Sequence, residues 1–423
     1  MIYLGLGSNQ DDRRKYLARA LVLLAQGGFE IFRVSPIVES PALLKKDALP
    51  EWNKPYLNLV VAGNTQHAPG EILQLAKKIE QALGRDLQAS RWSPRNIDID
   101  LLLWNDERIS TPDLSIPHLE MHKRSFVITP LLHLAPNLNI PGIDLTPLQI
   151  SRQIRPIPLW MGIANITPDS FSGKGAYKTL SVLEAQFESW IEAGVQIIDL
   201  GGESTRPGAG ALCAEDEWLR LEPVFNMLAR LRSKHGLMPL ISVDTRHAAV
   251  AQCALKSGAD WVNDVTGLSD PVMQAVVRER QASAVAMHSL SIPVQPGEVL
   301  DSSTPVGQQL VGWLDGQRAV WQEAGLDTGN IIFDPGVGFG KTALQNQGII
   351  KQTENLRQHG FRLLIGHSRK SFMNSFTTQA FAGRDIETLG LSLAMCEQGV
   401  DIIRVHDPLS HIRAYRAWAQ VRA

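Results

Sequence analysis

The chain has 423 residues, 44% of them hydrophobic and 20% charged, which excludes a disordered chain and at this length favours two cores over one. Lysine and arginine number 41 against 43 aspartate and glutamate, so the net charge is −2, and the absence of a basic run argues against nucleic acid as a partner. Cys213, Cys253 and Cys396 are scattered without metal-ligand spacing, the opening MIYLGLGSNQDD lacks the basic region of a signal peptide, and no apolar run is long enough for a bilayer. A cytoplasmic protein with no membrane partner is the expectation.

In chain order, residues 2–6 read as a strand closed by Gly7-Ser8-Asn9, and residues 12–26 as an amphipathic helix with Leu17, Leu21 and Leu24 on one face. Residues 29–34 and 56–62 read as strands and 69–83 as a second helix. Residues 97–104 and 108–109 supply further strands around the turn at Asn105-Asp106. The order β-α-β-β-α-β is that of a ferredoxin-like α+β domain. Between Ser40 and Pro55 runs a proline- and lysine-containing loop long enough to act as a lid.

The chemistry of this half is concentrated in RWSPRNIDID, residues 91–100. On a strand, residues i and i+2 share a face, so Asp98 and Asp100 project together while Ile97, Ile99 and Leu101 pack inward. Paired carboxylates on a rigid strand suit Mg²⁺, and Arg91 and Arg95 just upstream suit phosphate oxygens, which points to phosphoryl-type transfer from a nucleotide. The plainer alternative is an exposed strand face that happens to carry two charges.

Gly7-Ser8-Asn9, Tyr56-Leu57-Asn58, Glu80, Gly84-Arg85, the 91–100 run, Pro117-His118, Arg124 and Phe126 resemble 6-hydroxymethyl-7,8-dihydropterin pyrophosphokinase over roughly residues 1–145. The resemblance implies two Mg²⁺ ions held by Asp98 and Asp100 between ATP and the pterin. It implies Arg85, Arg91, Arg95, His118 and Arg124 facing the nucleotide phosphates, with Trp92 beside them and Arg85 and Arg95 acting in catalysis. The pterin would lie against Phe126, with Asn58 on its polar edge and Ser40-Pro41 alongside. The sequence departs from the family pattern at Ala42 and Leu87.

Residues 146–158, TPLQISRQIRPIP, mix proline and charge without a period, so the joint is expected there, between domains at 1–150 and 158–423. Beyond it, apolar runs at 159–164, 196–200, 239–243, 260–262, 282–286, 331–333, 362–365 and 401–405 alternate with helical segments. Eight such units are what a (β/α)8 TIM barrel requires. Each run ends in polar or glycine-rich residues, at Asn165, 201–206, 244–246, 263–264, His288, Asp334, 366–370 and 406–407. That is where a barrel places its active site. DPGVGFGKT, residues 334–342, has the wrong glycine spacing for a P-loop, since Gly336 falls one position too late. A glycine-rich loop lying against a flat ligand fits it better.

MGIANITPDSFS, GGESTRPGA, ISVDTR, NDV, DPGVGFGK, GHSRKS and IIRVHD, in that order, resemble dihydropteroate synthase over residues 158–423. The resemblance implies condensation of the pterin pyrophosphate with 4-aminobenzoate. Asp244, Asn263, Asp334 and Lys370 would line the pterin pocket, with Met287 and Phe339 adding apolar surface. Asn165 would hold one Mg²⁺ on the departing pyrophosphate, helped by Thr205, Arg404 and His406. Arg206, Pro207, Ser368 and Lys370 would lie near the aminobenzoate. Asp244 and Asp334 also make chemical sense as acceptors for the N–H donors of an amino-pyrimidine edge. Their plainer readings are an N-cap or a pair with Arg246 for Asp244, and a solvated surface lysine for Lys370. The loop at Ser172–Gly175 and the SLSIP segment after His288 depart from the family pattern.

The reading is a two-step enzyme of folate biosynthesis using small-molecule substrates, with a homodimer through the barrel as its possible assembly. Two alternatives remain at this point: the barrel as a pterin-binding methyltransferase domain, or one domain as a scaffold without catalysis.

Overall fold

The computed structural model describes residues 1–46, 48–86, 90, 93–166, 176–203, 212–295 and 297–422. The sequence-expected Arg91, Trp92, Thr205, Arg206 and Pro207 lie outside the described residues, as do Leu87 and the loop 172–175. The chain divides into two compact units, Met1–Ile157 with Ala419–Ala423, and Pro158–Trp418.

The first unit carries β1 (Ile2–Ser8), β2 (Phe29–Val34), β3 (Val38–Ser40), β4 (Tyr56–Thr65) and β5 (Asp98–Trp104). They form one antiparallel sheet in the order β2-β4-β1-β5, with β3 added on β4. This is the ferredoxin-like arrangement expected from the element order. The helices Arg13–Gln26 and Pro69–Ala82 bury Leu17, Ala20 and Leu24, and Ile72, Ala76 and Ile79. The i, i+3, i+4, i+7 spacing puts each set on a single helix face. A short ribbon, β6 (Ile109–Ser110) and β7 (Ser115–Ile116), follows the sheet.

Two local expectations are corrected. The strand expected at 2–6 runs on through Ser8, so Gly7 is paired within the sheet with Asn58 on one side and Asp98 on the other instead of turning the chain. The segment 146–158 is not wholly irregular: Pro147–Gln153 is a helix. Thr146 caps it, accepting from the Gln149 amide at 3.2 Å, while the Gln149 side chain returns a contact to the Thr146 N–H at 2.9 Å. Its Ile150 packs with Leu131, Ile128 and Ile140 in the core of the first unit.

In the second unit β8 (Leu159–Asn165), β9 (Ile197–Gly201), β10 (Leu240–Asp244), β11 (Trp261–Asp264), β12 (Ser283–Met287), β13 (Ile331–Asp334), β14 (Arg362–Ile365) and β15 (Ile402–Val405) close into a parallel barrel. β15 pairs with β8 to complete the ring. Ile198, Val243, Val262, Ala284, Phe333, Leu363 and Ile403 are almost wholly buried, as strands covered on both sides by barrel and helices must be. The strand register levels the polar strand ends: Asn165 is opposite Gly201, Gly201 opposite Asp244, and Asp244 opposite Asn263.

Candidate functional sites

In the first unit a cavity of about 310 Å³ opens on one sheet face. Its floor follows the two-residue period of the strands: Gly5 and Gly7 on β1, Asn58 and Val60 on β4, and Asp98, Asp100 and Leu102 on β5. The glycines leave room above the sheet. A Cβ on Gly7 would stand 3.1 Å from Asn58 Oδ1, and one on Gly5 would stand 3.3 Å from Leu102. The cavity also gathers Pro41, Arg85, Arg95, His118, Arg124 and Phe126. The described kinase-site residues expected from sequence therefore meet in one place.

Their charges are organised around Asp98. Arg85 Nη1 donates to Asp98 Oδ1 at 2.6 Å, and Arg95 Nη1 lies 3.4 Å from the same oxygen. Burial would raise the Asp98 carboxyl, but Arg95 and Arg85 hold it below the ordinary range. Asp100, on the same face, goes the other way: burial first, then the neighbouring Asp98 charge, push it up to about 7. Two carboxylates of such unequal pKa mark a surplus of negative potential between them, an environment that suits a divalent cation.

Buried Glu80 braces this arrangement from the helix Pro69–Ala82. Its carboxylate accepts from the Ile99 amide at 2.9 Å, from Lys77 Nζ at 3.0 Å, and pairs with Arg85 Nη1 at 2.6 Å. Asn9 anchors the other side: its Oδ1 accepts from the Arg95 amide at 2.7 Å. Asn58 Nδ2 donates to Ser40 Oγ at 3.1 Å, tying the cavity floor to the start of the 40–55 loop. The Arg124 guanidinium lies 5.9 Å from the Phe126 ring centre.

At the strand ends of the barrel a second constellation surrounds Arg404. Its Nε donates to Asp199 Oδ2 at 2.6 Å and its Nη2 to Asp244 Oδ2 at 2.6 Å. Asn263 Nδ2 donates to Asp199 Oδ2 at 3.2 Å. Burial pushes the Asp244 carboxyl up to about 7, with Arg404 opposing and Asp199 reinforcing. Thus Asp244 pairs with Arg404 and not with Arg246, whose guanidinium instead grips Glu203 at 2.9 and 3.0 Å. Gly366 lies between Arg404 and Asp334: a Cβ there would make ordinary contacts, 3.7 Å from Arg404 Cδ and 3.8 Å from Asp334 Oδ2.

Lys370 is not a solvated surface lysine. Its Nζ donates to the Val337 carbonyl and lies 4.5 Å from the centre of the Phe339 ring. Burial draws the ammonium down to about 8, against the raising effect of Asp334. The loop it touches requires glycine. Gly336 has φ +66° and an added Cβ would fall 1.9 Å from the His288 carbonyl; Gly338 has φ +84° and its Cβ would stand 2.9 Å from Lys370 Cδ. Asp334 Oδ1 accepts from the Gly336 amide at 2.8 Å, and buried Lys341 Nζ donates to the Phe339 carbonyl at 2.8 Å. Buried Ser368 receives the His406 amide at 3.2 Å and meets His406 Nδ1 at 2.9 Å. Met287 is buried opposite Asp334 in the strand register, and Asn165 ends β8 with an exposed side chain.

Comparison with known proteins finds a family match in each unit. Residues 3–136 match the 7,8-dihydro-6-hydroxymethylpterin-pyrophosphokinase family, and residues 161–406 match the pterin binding enzyme family. The folate synthesis bifunctional protein of Chlamydia caviae is 35% identical, the match covering 99% of this chain and 97% of that one. The chain belongs to the folate synthesis bifunctional proteins. Among solved structures, Xanthomonas albilineans dihydropteroate synthase with 4-aminobenzoic acid matches at TM-score 0.56 and 32% identity, over 63% of this chain and 93% of that one. The Anaplasma phagocytophilum enzyme with bound 6-hydroxymethylpterin-monophosphate matches at TM-score 0.56 and 30% identity, over 63% and 99%.

Sequence reasoning passed over Asp199 and Lys77, and gave Tyr56 no role beyond its place in the Tyr56-Leu57-Asn58 motif. Asp199 sits inside the apolar run IIDL, and a charged residue in the middle of a buried strand was the available signal. Lys77 and Tyr56 line the kinase-domain cavity. Lys77 stands three residues before Glu80 on one helix face, but nothing in that spacing separates it from an ordinary surface pair.

Proposed function

We infer that this folate synthesis bifunctional protein performs two successive steps. The first unit transfers pyrophosphate from ATP to 6-hydroxymethyl-7,8-dihydropterin, and the barrel condenses the product with 4-aminobenzoate to 7,8-dihydropteroate, releasing pyrophosphate. The carrying observation is the presence in one chain of both families, each with its polar cluster at the place its fold uses for ligands. The kinase assignment covers 1–150 and the synthase assignment 158–423.

In the first step the pterin hydroxymethyl oxygen bonds to the β-phosphorus of ATP, the bond from that phosphorus to the α-phosphate oxygen breaks, AMP leaves with the electron pair, and the hydroxyl loses its proton to solvent. We assign Asp98 and Asp100 to two Mg²⁺ ions; the surplus negative potential between them is what supports the fit. When bound there, Mg²⁺ would neutralise charge on the transferring phosphoryl oxygens. Arg85, Arg95, Arg124 and His118, with Arg91 and Trp92, take the nucleotide. Arg85 and Arg95, already turned into the cavity by Asp98, stabilise charge as it develops. Asn58, Pro41 and Phe126 hold the pterin.

In the second step the aminobenzoate nitrogen bonds to the pterin methylene carbon, the C–O bond breaks, and pyrophosphate departs with the electron pair while the amine loses a proton. Asp244, Asn263, Asp334 and Lys370 hold the pterin, with Met287 and Phe339 against its ring. Thr205, Arg404 and His406 are assigned to the pyrophosphate, and Arg206 and Ser368 with Lys370 to the aminobenzoate. Asn165 is assigned to one Mg²⁺. A neutral amide oxygen suits that ion, and a Cβ on Gly201 would stand 3.6 Å from Asn165 Oδ1 and 3.8 Å from Asp244 Oδ2, so both oxygens border one opening. The chain is proposed to pair as a homodimer through the barrel, which light scattering tests.

The deciding experiment incubates the full chain with ATP, Mg²⁺, the hydroxymethyl-dihydropterin and 4-aminobenzoate and identifies products by mass. 7,8-Dihydropteroate and AMP are expected. The pterin pyrophosphate accumulating without dihydropteroate would refute the barrel assignment and favour a pterin-binding scaffold.

A further inference from the structure

Three side chains outside both constellations converge from separate parts of the barrel. Glu203 follows β9 by two residues, Glu217 lies on the helix Ala214–His235, and His247 follows β10 by three. One ligand atom from each lies within 4.8 Å of the other two. Glu217 is fully buried; its Oε2 accepts from Thr245 Oγ1 at 2.8 Å, while its Oε1 has no hydrogen-bond partner among the described residues. His247 Nε2 is likewise shielded without a hydrogen bond and stands 3.8 Å from Glu203 Oε2. Buried polar atoms left in this way cost about 1–3 kcal/mol each, so two of them on side chains of one such cluster call for a partner.

The charges point the same way. Arg246 makes its ion pair with Glu203 and acts on Glu217 only as a weaker, more distant charge. Burial pushes Glu217 up to about 7, with Asp244 and Glu203 adding to the rise. Thr245 holds the geometry from both sides, donating to Glu217 and accepting the His247 amide at 3.1 Å. A Cβ on Gly202 would lie 2.8 Å from Glu217 Cγ, so the chain leading to Glu203 rests directly on the Glu217 stem.

We propose that Glu203, Glu217 and His247 form a binding site for one divalent transition-metal ion of the Zn²⁺, Mn²⁺ or Co²⁺ class. Two carboxylates and an imidazole favour such an ion over Mg²⁺, which prefers oxygen alone. Glu203 Oε1 is taken by Arg246 Nη2 and the Leu212 amide, each at 3.0 Å, but its Oε2 meets only Arg246 Nε and keeps a second lone pair for the ion. The ion meets the Glu217 carboxylate directly, as Arg246 does not, and cross-links Glu203 and His247 to the helix at 214–235. It shares no residue with the Mg²⁺ assignments, and its role is to stiffen the barrel rim.

The test uses the full chain stripped with EDTA and titrated with Co²⁺ in excess Mg²⁺, reading visible absorption and the barrel melting temperature. One equivalent of Co²⁺ should give a d–d spectrum and raise the melting temperature. Glu217→Gln, which keeps shape and the Thr245 contact, and His247→Gln, at a partly exposed side chain, should each weaken Co²⁺ binding by about tenfold or more. Asp98→Ala/Asp100→Ala should leave the Co²⁺ spectrum unchanged. Wild-type protein without the spectrum, or both glutamine variants binding as tightly as wild type, would overturn the site. Loss of the spectrum in the Asp98/Asp100 variant would overturn it too, by assigning the ion to the kinase cavity.

Discussion

Replacing Arg404 by Met removes a guanidinium that answers two carboxylates at 2.6 Å, one of them, Asp199, fully buried. The methionine keeps most of the stem volume, so the loss is electrostatic. Removing one partner of a buried ion pair costs about 3–5 kcal/mol, because the remaining charge stays behind uncompensated. At about 2–4 °C per kcal/mol for a domain of this size, the barrel transition should fall by roughly 6–20 °C. Buried Trp160, Trp190 and Trp321 report that transition by fluorescence.

The pH dependence gives the sharper check. Arg404 opposes the rise that burial imposes on the Asp244 carboxyl, so without it that carboxyl is raised further above its unfolded value. A group raised on folding holds its proton in the native state, so stability falls as pH rises between the unfolded and folded pKa. The deficit of Arg404→Met should therefore be largest above about pH 8, where the native Asp244 carboxyl must ionise, and should shrink toward about pH 5. Pterin pyrophosphokinase activity should persist wherever the first unit stays folded. A deficit independent of pH would refute the account, and so would one that grows in acid.

Asp98→Ala with Asp100→Ala should lower pyrophosphokinase turnover by orders of magnitude while leaving synthase activity on supplied pterin pyrophosphate near normal, measured by separate AMP and dihydropteroate assays. Lys370→Ala should keep the barrel folded by circular dichroism yet lower synthase turnover by about a hundredfold through lost positioning. Lys370→Arg should not restore it, since a planar fork cannot donate to Val337 O from the same point. By calorimetry, 4-aminobenzoate should bind the free enzyme weakly and more tightly once pterin, pyrophosphate and Mg²⁺ are present; equal affinity would refute that order.

Much of the molecule was legible because its physics is local. The barrel strands announce themselves as apolar runs such as IIF at 331–333 leading to a polar residue, since a strand buried on both faces has little room for charge away from its end. Asp199 and Arg404, which pair with each other, are exceptions. Asp98 and Asp100 share a face by the two-residue period alone, and the cavity they line is where that period put them. The helix at Pro147–Gln153 was legible in principle from the Thr146 and Gln149 capping pair. Seven residues, however, are too few for a hydrophobic period to appear.

What only the tertiary structure decided is who meets whom across long stretches of chain. Asp199 reads as an anomaly within a strand until barrel closure brings Arg404, 205 residues later, to its carboxylate. Asp244 and Arg246 stand two apart and invite pairing on paper. Their side chains leave the end of β10 toward different neighbours, Arg404 for one and Glu203 for the other. Neither choice is written in spacing, because an ion pair costs desolvation and forms where the fold has already buried both partners together.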